Sequence, residues 1–168
     1  MKSCTIFVIS ISIITAASTP PAPIPAKFLG KWELVRNDDN FDKYLEAKGY
    51  NWLYRKLIGM SSWTVILTKK SDNPPVYHYK ISADDKESDW DDIRNGKEFE
   101  GEYLDDHPHK ITFTYDPKGD KLSEKHVDMD SGTTAIYDYL ITKDGQMVVG
   151  MEDSGIVAKR FYKKIGEN

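Results

Sequence analysis

The spacing of the turn signals constrains this chain more than any other feature. Clusters of Asn, Asp, Gly, Pro and Ser interrupt it at short, regular intervals from residue 73 onward. They are Asn73-Pro74-Pro75, Asn95-Gly96, Asp105-Asp106-His107-Pro108, Asp116-Pro117-Lys118-Gly119, Asp130-Ser131-Gly132, Asp144-Gly145 and Asp153-Ser154-Gly155. Gly tolerates positive φ, Pro presets φ, and Asn and Asp bond their own backbone, so such clusters close turns. The segments between them are short and read as strands over 62–68, 76–82, 89–94, 98–103, 110–115, 121–129, 133–142, 146–152 and 156–164. A further strand over 29–35 carries Trp32 and Leu34 on one face. Ten antiparallel strands in a meander leave long edges unless the sheet closes. The spacing therefore predicts an all-β, ten-stranded, up-and-down antiparallel β-barrel. A β-sandwich is the architectural rival.

One helical insert follows the first strand, and it disfavours the sandwich. Asn40 offers an N-cap and Asp42 sits in the first turn, with Phe41, Tyr44, Leu45 and Lys48 on one side. Gly49 stops this helix. A second begins after Asn51, with Leu53, Leu57 and Met60 at i, i+4 and i+7, and ends near Gly59. Two short helices joined by almost nothing make a lid. Each is too short to be stable alone, so both are expected to rest on Phe41, Leu45, Leu53, Leu57 and Ile58.

The N-terminus reads separately. Lys2, an apolar run from Cys4 to Ile14, and Ala16-Ala17-Ser18 follow the pattern of a secretory signal over 1–18. The run is short for a membrane span, which needs about 20 apolar residues. Residues 19–26 hold four prolines and read as an extended spacer, leaving 27–168 as the domain. The single cysteine is Cys4. A secreted domain without cysteine needs a good core or a closed sheet, and cysteine catalysis and Cys-zinc sites are excluded.

Formal charge is −4, with no basic stripe, so nucleic acid is an unsuitable partner. The acidic cluster over 84–92 reads as a solvated strand face and turn, and its spacing fits no calcium loop. Four histidines are present. His107 and His109 flank Pro108 and read as solvent-exposed, with loose metal binding as the alternative. No nucleophile elbow, zincin helix or phosphate loop occurs, so an enzyme is not indicated and neither cofactor nor metal is called for. In the last strand Ile156, Ala158, Arg160 and Tyr162 share one face. Arg supplies a charged fork and Tyr a hydroxyl, a pair able to hold a carboxylate.

The ordered blocks Phe28-Leu29-Gly30-Lys31-Trp32, Asn40-Phe41-Asp42-Lys43-Tyr44-Leu45, Arg55-Lys56-Leu57-Ile58-Gly59-Met60, Gly96-Lys97-Glu98-Phe99-Glu100 and Arg160-Phe161-Tyr162 resemble the fatty-acid-binding protein family over 27–164. The signal peptide and the longer turns over 69–75 and 105–109 are similar to its secreted nematode branch. The resemblance implies a clam-like barrel around a large, partly water-filled cavity, with the helices as portal. It implies a secreted, monomeric carrier of long-chain fatty acid, the carboxylate lying on Arg160 and Tyr162. A second Arg usual in the family, two strands earlier, is missing: one count puts Tyr137 there, another Leu140. Phe41, Leu45, Leu57 and Ile58 become lid residues near the ligand, and Ile93 a portal candidate. Trp52, Tyr54, Arg55 and Lys56 suit transient contact with a membrane surface. The alternatives are a carrier of retinoid or another hydrophobic ligand, or an extracellular β-domain without a small ligand.

Overall fold

The computed structural model describes residues 21–166. The expected secretory signal over 1–18 lies outside the described residues. A 3-10 turn, Ala26–Phe28, leads into β1 (Gly30–Asn37). Helices α1 (Phe41–Ala47) and α2 (Trp52–Met60) follow. Nine strands complete the chain: β2 (Trp63–Asp72), β3 (Pro75–Ala83), β4 (Lys86–Ile93), β5 (Phe99–Glu102), β6 (Pro108–Asp116), β7 (Lys121–Asp128), β8 (Thr134–Ile141), β9 (Met147–Asp153) and β10 (Ile156–Gly166).

All ten strands belong to one antiparallel sheet in the order β4-β3-β2-β1-β10-β9-β8-β7-β6-β5. The pairing of β1 with β10 joins the two halves of the meander. Strands β4 and β5 are not hydrogen-bonded to each other, so the barrel is nearly closed. Side chains fill that seam. The Trp90 ring meets Phe99 edge-on at 5.5 Å and lies nearly parallel to Tyr103 at 6.2 Å. Gly101 lets it in: a Cβ there would stand 2.6 Å from Trp90 Nε1. Lys86 Nζ donates to the Leu104 carbonyl at 3.0 Å, tying β4 to the β5–β6 turn.

Period-two alternation sets what faces inward. Tyr77, Tyr79 and Ile81 of β3 are buried, as are Leu122, Glu124 and His126 of β7 and Ala158, Arg160 and Tyr162 of β10. The intervening positions are charged or polar in many places. The acidic cluster is such an outer face: Lys80 pairs with Glu87, His78 with Asp89 and Lys70 with Asp91.

The two ends differ. At one end lie the helices and the β3–β4 turn, where the Ser62 amide donates to Asp84 Oδ1. At the other, residues 22–28 close the barrel, although the sequence reads 19–26 as a spacer. Ile24 and Phe28 are buried, the Ile24 amide donates to the Tyr77 hydroxyl at 2.8 Å, and Lys27 pairs with Asp120. Burying two large apolar residues repays the ordering of this segment. Ile93 lies at this closed end, fully buried opposite Tyr77, so it is not a portal residue.

The interior is tightly packed towards the closed end. Tyr79, Phe113, Glu124, Leu122 and Met147 are each 2% exposed or less. Beneath them the void between Phe28, Leu67, Leu122 and Met147 measures about 10 Å³. Higher up, towards the helices, the inward residues Tyr103, Tyr137, Trp63 and Ile141 are only half-buried.

Candidate functional site

Arg160 is the focus of the interior. Its guanidinium lies beneath α1 at the helix end of the barrel, and the residue is 5% exposed. Nε donates to Asn37 Oδ1 at 3.0 Å. The guanidinium carbon is 4.0 Å from the Trp63 ring centroid and 4.8 Å from that of Phe41. Ring faces attract a cation, most where water is excluded. They do not replace a hydrogen-bond acceptor, and Nη2 is buried without one. The arginines that form ion pairs among the described residues are Arg55 and Arg94. A buried charge lacking a counter-ion is costly, so this position suits an incoming anion.

Tyr162 follows two residues on, buried in the same face. Burial pushes its phenol above the ordinary value, and the Arg160 charge acts in the opposite direction. Tyr137 points inward from β8, half-buried, its phenol also held well above the ordinary value by burial. Cross-strand register assigns its row: Tyr137 opposes Met151, which opposes Ala158. The residue in Arg160's own row, through Val149, is Tyr139. Leu140 lies on the outer face, 43% exposed.

A second polar group occupies the interior, and the sequence reading missed it. Glu124 is 1% exposed and accepts from the hydroxyls of Tyr79 and Tyr139. Its other oxygen is 2.6 Å from His126 Nε2. The alternation Leu122-x-Glu124-x-His126 carried the signal, because apolar Leu122 identifies the inner face. His109 also departs from expectation. The turn ends at Pro108, strand alternation begins there, and His109 turns inward with 6% exposure. His107 stays outside, 3.0 Å from Asp130, whose hydrogen bond raises its imidazole above the ordinary value. His107, Asp128 and Asp130 offer ligand atoms within 4.8 Å of one another, a cluster exposed at the surface apart from half-buried Asp128.

The lid residues divide. Phe41 and Leu45 are buried, and Ile58 is half-buried against the core. Leu57 is 56% exposed and Leu53 57%, so neither packs as expected. Helix α2 stands off the barrel, and its apolar side meets solvent. Arg55 is not a free cation either: its guanidinium lies 3.4 Å from Asp42 and 3.1 Å from Glu46.

No family model matches the chain. Individual proteins do. Fatty acid-binding protein homolog 1 of Caenorhabditis elegans is 35% identical over 159 residues, covering 94% of this chain and 97% of that protein. The fatty acid-binding protein homolog of Ascaris suum is 34% identical over 168 residues, covering 96% and 98% respectively. Among solved structures, that of As-p18, an extracellular fatty acid binding protein, superposes with a TM-score of 0.80 at 34% identity, covering 86% of this chain and all of that one. With a ten-stranded nearly closed barrel and two helices after its first strand, the chain belongs to the fatty-acid-binding protein family.

Proposed function

We propose that this protein is a secreted, monomeric carrier that binds a long-chain fatty acid non-covalently inside the barrel, with the carboxylate on Arg160 and hydroxyls of Tyr162 and Tyr137 nearby. The observation that supports this most is the buried Arg160 Nη2 without an acceptor. A carboxylate would supply both the acceptor and the missing counter-charge. The relatives point the same way, being named for fatty-acid binding. Affinity would come from the tail. Each buried methylene contributes about 0.8 kcal/mol, so a chain of roughly sixteen carbons has a gross drive on the order of 10 kcal/mol before ordering costs.

Replacing Arg160 with Leu tests the anchor. Charged hydrogen bonds are typically worth about 1.5–3 kcal/mol, so hexadecanoic acid should bind roughly ten- to a hundredfold more weakly. Hexadecanol should lose much less. Unchanged acid affinity in a variant with native circular dichroism would refute the role.

Transfer would use α2 as a docking surface. Trp52, Tyr54 and Met60 are exposed beside Lys56, and aromatic and basic side chains together suit a lipid interface. Trp52→Ala with Lys56→Glu should slow transfer to anionic vesicles and leave equilibrium affinity unchanged. Arg55 is the wrong residue for this test, since it ties α2 to α1. Transfer rates insensitive to the double substitution would leave diffusion through water as the route.

A further inference from the structure

Among the described residues, two of the six buried side-chain atoms left without a hydrogen-bond partner are imidazole nitrogens, Nδ1 of His109 and Nδ1 of His126. Both rings sit inside the barrel, 6% and 2% exposed. They come from adjacent strands: His126 opposes Ile111, two residues along β6 from His109. The ring centroids are 5.3 Å apart and nearly perpendicular, with Tyr103 against both at 5.5 and 4.5 Å.

The other nitrogen of each ring is already engaged. His109 Nε2 lies 3.2 Å from both oxygens of Asp105, and His126 Nε2 lies 2.6 Å from Glu124. A carboxylate accepts, so Nε2–H donates in each case. A neutral imidazole that donates through Nε2 presents Nδ1 as an acceptor, and neither Nδ1 has a partner. Two buried acceptors on facing rings, with no donor beside either, make an interior that asks for hydroxyl hydrogens. Trp90, Tyr103 and Tyr137 stand around His126, and such ring faces suit an acyl chain beside the polar group.

We infer that His109 and His126 form a second polar station inside the barrel, which takes a hydroxyl carried by the ligand at a distance from its carboxylate. The preferred cargo is then a hydroxylated fatty acid rather than the plain acid. Arg160 and His126 stand on β10 and β7, three strand spacings or about 14 Å apart along the sheet. One extended acyl chain can therefore engage both. This inference rests on the proposed fatty-acid reading, which assigns the carboxylate to Arg160. It adds the class of acid.

The experiment is a position scan. Hexadecanoic acid and its monohydroxy isomers, with the hydroxyl at successive carbons, are titrated against the full secreted chain by calorimetry. Binding should strengthen about five- to thirtyfold for hydroxyls within a narrow window remote from the carboxylate, the value of satisfying one buried acceptor. His109→Phe and His126→Phe should each reduce that advantage and leave the plain acid's affinity little changed. Equal affinity for all isomers in the unsubstituted chain overturns the inference while leaving the fatty-acid reading intact. So does an advantage that ignores hydroxyl position or survives both substitutions. If neither plain nor hydroxylated acids bind, the carrier reading itself fails and takes this inference with it. Should the variants not fold, the scan on the unsubstituted chain alone decides.

Discussion

The two lid helices are held in opposite ways. Helix α1 is poorly capped and well packed. Asn40, which reads as its N-cap, makes no capping bond; its side-chain amide donates instead to the Val157 carbonyl at 3.1 Å. Phe41, Tyr44 and Leu45 are buried. Helix α2 is well capped and scarcely packed. Asn51 Oδ1 accepts from the Tyr54 amide at 3.1 Å, yet no residue of α2 is buried. Apart from half-buried Ile58, its ties are polar: Arg55 to Asp42 and Glu46, and Asn37 to the Gly59 carbonyl. A helix of seven residues persists because the barrel holds it, and its neighbour of nine persists through local bonds. Apolar contact is hard to lose piecemeal, whereas exposed polar ties open at little cost. On this difference α2 should open more readily than α1, which covers Arg160.

The contrast can be broken most directly by truncating one leucine in each helix. Leu45→Ala removes a side chain that is 4% exposed and should lower unfolding free energy by about 2–5 kcal/mol. Leu57→Ala should change it by less than about 0.5 kcal/mol. Urea denaturation of the two variants measures both. Equal losses would mean that α2 packs after all.

A smaller effect sharpens the same comparison. Asn51→Ala removes the α2 cap, worth about 1 kcal/mol. Amide exchange should accelerate severalfold within Trp52–Met60 and hardly at all in Phe41–Ala47. Acceleration spread evenly over both helices would show that they open as one unit.

The smallest effect is alkaline. Burial pushes the Tyr44 phenol from 10.0 up to about 12, against a lowering hydrogen bond from Tyr137. A raised value means that the folded state favours the neutral phenol. Its contribution is complete below pH 10 and is lost as pH rises from there towards 12. Several buried tyrosines share this direction, so Tyr44→Phe should recover only part of the alkaline loss of stability. Denaturation midpoints measured from neutral to alkaline pH test it, and identical curves for the two proteins would sink it.

Much of this molecule was legible along the chain. Turn chemistry marked the strand boundaries to within a few residues, because Gly, Pro, Asn and Asp act on their immediate backbone. Period-two alternation put Arg160 and Tyr162 on one face, a consequence of strand geometry alone. The same rule could have turned Glu124 and His126 inward beside Leu122, and His109 inward after Pro108. Other matters depended on residues distant in sequence. Cross-strand register made Tyr139 the row-mate of Arg160. Packing against β10 buried α1, while nothing comparable covered Leu57 of α2. Residues 22–28 became a plug only because Tyr77 and Asn95 were there to bond them. Local propensity acts through neighbouring atoms and can be read in order. Burial, register and the partnering of Arg160 arise where strands far apart in sequence meet, and only the closed barrel decided them.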